Sequence, residues 1–171
     1  AGESVAKAAP DGYTLLNTDN VTLATNPFLR SKMPFDPSRD LTPVIGLVRA
    51  GNVLVVRPDS PFQGLSDLIA AARAKPESLA YGSFGVGSAA HIDTEALAGI
   101  AGIKMHHVPY RGGPEIMKAV LAGDLAFSLT GFPPALPMIR QGRLRALAYG
   151  GQARSPALPE VPTFAETVRG L

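Results

Sequence analysis

Apolar and polar positions alternate along the chain with two different periods. Leu65, Leu68, Ile69 and Ala72 recur at spacings of three and four, the stripe of a helix that Pro76 ends. Ile92, Leu97 and Ile100 predict the inward face of a second helix over "SAAHIDTEALAGI". In "GPEIMKAVLAG" a third helix is framed by Pro114 at its first turn and Gly123 just past its end. "PALPMIRQG" predicts a short fourth. Between them lie short apolar runs that read as strands: "NVLVVRP", "SLAYGSF", "MHHVPY", "LAFSLTG" and "RLRALAYG". From residue 52 onward strand and helix alternate, which predicts a parallel α/β sheet.

The first fifty residues are patterned differently. "ESVAKAAP" reads as the tail of a helix and Pro10–Gly12 as a turn. "YTLLNT" predicts a strand, and "DNVTLATNPFL" a helix or turn capped by Asp19 or Asn20. "MPFDPSRDLTP" is a Pro-rich loop. "VIGLV" predicts a further strand, separated from "NVLVVRP" by Ala50 and Gly51.

In parallel α/β sheets ligands sit beyond the carboxyl ends of the strands. That rule selects the loops Thr18–Asn20, Ser83–Ser88, Tyr110–Gly113 and Thr130–Pro133, all rich in Gly or hydroxyls. A carboxylate needs oriented donors, and helix-start N–H groups with Ser or Thr hydroxyls supply them. The backbone N–H groups of Gly87, Ser88 and Ala89, with the Ser88 hydroxyl, are the candidate anion donors. Gly85, Gly87 and Ala90 also fit the looser dinucleotide pattern, with Arg111 to meet a 2′-phosphate, so an NADP-binding oxidoreductase is the rival reading. Against it, the next strand ends "VPYRGG", without the acid that would hold a ribose.

Composition narrows the rest. Charged residues make up 18% and hydrophobic ones 46% of 171 residues, enough for a sizeable core. The 16 Lys and Arg are scattered and there is no Trp, which argues against nucleic acid as a partner. There is no Cys, so disulfides and thiolate metal sites are excluded. No apolar run reaches the ~18 residues of a membrane span. His106 and His107 are adjacent in a strand and point to opposite faces, so they cannot share a metal. Asp93 and Glu95 are two apart on a helix and face different ways. Ser83 and His91 suggest a nucleophile and base, but no third member is placed near them and no G-x-S-x-G is present. A helix-capping Ser is the commoner role. No cofactor and no enzymatic activity are expected.

"AAPDGYTLL", "NVLVVRP", "YGSFGVGSAAHI", "HHVPYRGG", "GRLRALA" and "RSPALPEVPTFAE" together resemble the substrate-binding proteins of tripartite tricarboxylate transporters, the Bug family of periplasmic receptors. The resemblance implies a Venus-flytrap fold of the type II-like periplasmic-binding-protein kind, with a mostly parallel sheet flanked by helices. It implies a small carboxylate or aromatic acid as ligand, and a membrane permease as partner. Residues 1–51 would be an incomplete first lobe, 52–150 a complete second lobe, and 151–171 a crossover back toward the first. The family loop S-x-G-x-G-[ST]-x-x-H is matched by Ser83, Gly85, Gly87, Ser88 and His91. "VPY" is matched by Val108, Pro109 and Tyr110, with Arg111 in place of a common Lys. Thr130 and Gly131 stand where Asp and Asn are frequent. The ligand-binding set so implied is Thr18, Asp19, Ser83, Gly85, Gly87, Ser88, Ala89, His91, Tyr110, Thr130 and Phe132. Phe84, Val86 and Phe132 suggest a monocarboxylate or an aromatic acid over citrate. A receptor of this kind works in the periplasm after loss of a signal peptide. First-lobe strands left without partners predict self-association of the chain through Leu15, Leu16, Val44 and Ile45.

Overall fold

The computed structural model describes residues 1–48 and 51–170. They fall into two units, Ala1–Val48 and Arg49–Leu171. The expected break at Ala50 lies outside the described residues.

The first unit holds three short helices, α1 (Gly2–Ala6), α2 (Asn26–Leu29) and α3 (Pro37–Asp40), and one π-helical turn at Val21–Thr25. Asp19 starts that turn, its carboxylate accepting from the Thr22 N–H at 3.0 Å. Asp36 caps α3 by accepting from the Ser38 N–H at 2.9 Å. The two expected strands are not seen: among the described residues neither "YTLLNT" nor "VIGLV" forms a ladder. A strand exists only through a ladder partner, and the described residues of this unit supply none. The apolar side chains there face solvent instead, with Leu15 71%, Val44 78% and Ile45 76% exposed.

The second unit is built on β1 (Asn52–Val56), β2 (Ala80–Ser83), β3 (His106–Pro109), β4 (Phe127–Gly131) and β5 (Arg145–Tyr149). These form one sheet in the order β3-β2-β4-β1-β5. Its helices are α4 (Leu65–Ala74), α5 (Ala89–Ala101), α6 (Gly113–Ala122), α7 (Phe132–Arg140) and α8 (Phe164–Thr167). Successive residues of β1 divide the core between the two faces. Leu54 and Val56 pack with Leu65, Leu68 and Leu97 of α4 and α5. Val53 and Val55 pack with Ile116, Val120 and Ala135 of α6 and α7. The class is therefore α/β, a sheet covered by helices on both sides.

Two expectations need correction. β2 runs parallel to β3 and β4, but β1 runs antiparallel to both of its neighbours, β4 and β5. Four strands thus share one direction and an internal strand opposes them. β2 therefore starts at the end of the sheet at which β1 finishes. In α5 the buried stripe is Ala90, Thr94, Leu97 and Ala98. Ile100 is exposed and Ile92 only half-buried. Thr94 goes inside because its hydroxyl donates to the Ala90 carbonyl at 2.6 Å, which removes the cost of burying it. By contrast α4 buries Leu65, Leu68, Ile69 and Ala72 as its spacing predicts. The Asp67 carboxylate accepts from the Gln63 and Gly64 N–H groups at its start.

Candidate functional site

The carboxyl ends of β3, β2 and β4 lie side by side, because the three strands are parallel neighbours. The start of antiparallel β1 and the end of β5 reach the same edge, since Asn52 pairs with Gly131 and Val53 with Tyr149. Helices α5, α6 and α7 all begin there. The topology therefore gathers Ser83, Gly85, Gly87, Ser88, Ala89, His91, Tyr110, Thr130 and Phe132 along one edge. Thr18 and Asp19 belong to the first unit, where Asp19 serves as a turn cap. A groove of about 450 Å3 in that unit lies among Arg30, Phe35, Asp36, Arg39 and Asp40, and neither Thr18 nor Asp19 lines it.

The Gly-rich loop needs its glycines. Gly85 and Gly87 have φ of +106° and +83°, values that L side chains rarely adopt. After them Ser88 takes an extended conformation and caps α5, its hydroxyl accepting from the His91 N–H at 3.4 Å. Ser88 thus has the capping role as well as its place in the candidate donor set. Gly87 is already engaged, its N–H pointing at His91 Nδ1 at 3.4 Å. Phe84 is half-exposed, and its ring lies over Gly113 at the start of α6, so it bridges two of the edge loops.

Helix starts at this edge differ in what they offer an anion. α6 has Pro114 and Glu115 in its first turn, and the Glu115 carboxylate faces the Arg111 N–H at 3.4 Å. α7 begins with Pro133 and Pro134, which have no N–H. α5 has neither proline nor acid in its first turn. Among the described residues the Ala89 and Ala90 N–H groups have no hydrogen-bond partner, as the first turn of a helix dictates.

Ser83 is fully buried. Its hydroxyl lies 2.7 Å from Nε2 of His107, not against His91. The sheet register explains this. Tyr81 pairs with His107 and Ser83 with Pro109, so Tyr81, Ser83 and His107 share the face under α5. His91 reaches the same place from α5, its ring centroid 4.3 Å from that of His107. Burial first, then the charge of His91, holds the His107 pKa below its ordinary 6.5, while Glu95 opposes the shift. Tyr81 donates to Glu95 at 2.6 Å, and burial together with this bond pushes its phenol pKa upward.

Tyr110, Thr130 and Phe132 stand at the edge but on the opposite face of the sheet. The Tyr110 N–H donates to the Ser83 carbonyl at 2.9 Å, and its ring packs beneath Gly82. Thr130 is buried opposite Val53. The Phe132 N–H donates to the Gly51 carbonyl at 3.2 Å. Sequence reasoning missed His107, Asn52, Asp93 and Tyr149. The Asn52 amide donates to Asp93 at 2.8 Å and ties the entry of β1 to α5. No local signal reveals these partners, because each meets its neighbour from a distant part of the chain. Among the described residues there is no cluster of His, Asp and Glu fit for a metal, and no helix is long and apolar enough to cross a membrane.

The fold, an α/β sheet covered by helices on both faces, is one that the chain shares with solved periplasmic binding proteins. The chain belongs to the tripartite tricarboxylate transporter receptor family, whose description it matches over residues 1–171. It is 37% identical over 169 residues to a "UPF0065 protein in gbd 5'region" of Cupriavidus necator, covering 99% of this chain and 51% of that one. It is 36% identical over 165 residues to Protein BugT of Bordetella pertussis, covering 96% and 51%. The chain spans about half the length of the curated relatives it matches. Among solved structures it is similar to R. palustris Rpa4515 with adipate, at a TM-score of 0.89 and 34% identity, covering 99% of this chain and 57% of that one. It is also similar to MatC from Rhodopseudomonas palustris with bound malate, at a TM-score of 0.84 and 27% identity, covering 98% and 57%. The family is one of substrate-binding receptors, not enzymes, so the oxidoreductase reading is set aside.

Proposed function

We propose that this chain supplies a ligand-holding lobe of a periplasmic receptor, which captures a small carboxylate and delivers it to a tripartite tricarboxylate-type membrane permease. The observation that carries the reading is α5. It is the one helix start among the three at the sheet edge with neither proline nor acid in its first turn and with N–H groups at Ala89 and Ala90 left for an anion. Each charge-assisted hydrogen bond to a carboxylate contributes about 1.5–3 kcal/mol, and the helix dipole favours the same charge. Ser88, Gly85, Gly87 and His91 shape this end of the site. Tyr110, Thr130 and Phe132 shape the other face of the edge.

The ligand is a small acid with an apolar body, a monocarboxylate or an aromatic acid before citrate. Phe84 and Val86 stand exposed beside the α5 start, and Thr130 brings a hydroxyl where the resemblance has an acid. Relatives solved with adipate and malate support the carboxylate class. The test is a thermal-shift and calorimetry panel of benzoate, adipate, malate, citrate and NADPH, on this chain and on a receptor of full family length carrying it. Stabilisation of the full-length receptor by benzoate is expected. Stabilisation by NADPH with none from any acid would overturn the reading, and citrate as the sole tight binder would overturn the preference for an apolar body.

A further inference from the structure

The Ser83 hydroxyl is buried and makes three contacts: the Gly85 N–H at 3.1 Å, the Gly85 carbonyl at 3.1 Å and His107 Nε2 at 2.7 Å. A hydroxyl has one proton and two lone pairs. One arrangement satisfies all three contacts together. Oγ accepts from Gly85 N–H and from Nε2–H of His107, and it donates to the Gly85 carbonyl. The proton of neutral His107 therefore sits on Nε2. The ring carrying it is held between Tyr81, stacked at 5.0 Å, and His91, tilted at 4.3 Å. His91 in turn faces the same loop two residues further on, its bare Nδ1 accepting from Gly87 N–H.

We infer that Ser83, His107 and His91 are positioning residues that clamp the Gly-rich loop at two points, Ser83 and His107 at Gly85 and His91 at Gly87. Losing the Nδ1 acceptor of His91 would release the Gly87 N–H toward the space at the α5 start. This deepens the carboxylate reading, since a freed Gly87 N–H adds a donor where an anion would sit.

The experiment uses the ligand-free chain labelled with 15N, so its outcome is independent of which ligand the receptor takes. Long-range 1H–15N spectra at about pH 8 should show His107 as the Nε2–H tautomer and His91 with an unprotonated Nδ1. Amide exchange, corrected for intrinsic rates, then follows Gly85 and Gly87. His107→Phe keeps a flat ring but loses the donor, and should lower Gly85 protection by about fivefold or more. His107→Gln retains an N–H donor and should restore it, which a merely structural ring would not do. His91→Phe removes the Nδ1 acceptor, and Gly87 should lose protection while Gly85 keeps it. An Nδ1–H tautomer at His107, or wild-type Gly85 protection in His107→Phe, would overturn the clamp. The tautomer reading needs no mutation, so it decides even if a variant misfolds.

Discussion

The ring of Phe132 meets that of Tyr149 edge-on, their centroids 5.0 Å apart and their planes at 61°. Phe132 thus holds Tyr149 in place at the sheet edge, in addition to its place beside the proposed ligand. Tyr149 is packed against glycine backbone as well. A Cβ at Gly51 would lie 2.8 Å from two of its ring atoms and from the Gly150 carbonyl, and one at Gly151 would overlap the ring. Gly51→Ala and Gly151→Ala should therefore each destabilise the fold by about 1–3 kcal/mol in urea unfolding. Combining each with Tyr149→Ala separates the obstacles. The cost at Gly151 should largely vanish, and that at Gly51 should persist because backbone blocks it. An unchanged cost at Gly151 would show that the ring is not what excludes a side chain there.

Ser88 is both a helix cap and a candidate ligand group, and one substitution separates the two. Ser88→Ala removes the cap and should cost about 1 kcal/mol of stability. Ser88→Asp keeps a capping oxygen and suits the positive end of α5, so thermal stability should hold or rise. Its charge would stand beside the bound carboxylate, and affinity for benzoate in the full-length receptor should fall about tenfold or more. Calorimetry showing wild-type affinity in Ser88→Asp would remove the α5 start as the carboxylate site.

Two groups place two pH windows on stability. His107 is held below its ordinary 6.5, chiefly by burial. The unfolded chain then binds its proton more readily than the fold, so stability falls as pH drops through 6.5 toward the lower folded value. Glu166 is held at about 2 rather than 4.5 by its hydrogen bonds from Arg154, aided by the Thr163 N–H. Its contribution is present above 4.5 and is lost as pH falls from there toward about 2. Urea midpoints across pH should show both declines. His107→Gln should flatten the upper one alone, and Arg154→Met the lower one alone. A midpoint that is level on either side of 6.5 in the wild type would contradict the shift assigned to His107.

What the sequence reveals depends on how far apart the deciding residues lie. The α4 stripe and the Pro114 and Gly123 ends of α6 are legible because each is settled within a few residues. The Gly85 and Gly87 conformations are legible for the same reason. The antiparallel course of β1 is not, because strand direction is decided by β4 and β5, far along the chain. Ser83 and His107 are likewise brought together only by the register of β2 on β3. Thr94 misleads the α5 pattern through a side-chain bond to Ala90, invisible to a count of apolar residues. "YTLLNT" and "VIGLV" carry strand-like sequences, and propensity alone does not make a strand where no partner is present.

Those two segments carry the last prediction. Tyr13 is 93% exposed and Val48 83%, and Leu15, Val44 and Ile45 are nearly as open. Leu16 is half-buried. Extended apolar chain with unpaired N–H and carbonyl groups is a template for edge pairing. A second copy of the chain offers the same segments, so pairing can be reciprocal. The isolated 171-residue chain should therefore sediment as dimers or larger species that grow with concentration. Val44→Lys with Ile45→Glu sets charge on the exposed segment and should shift it toward monomer. The second unit should be untouched, because its core of Leu54, Leu68 and Val120 contains neither position. Sedimentation of the unmodified chain as a monomer at every concentration would refute self-association through these segments.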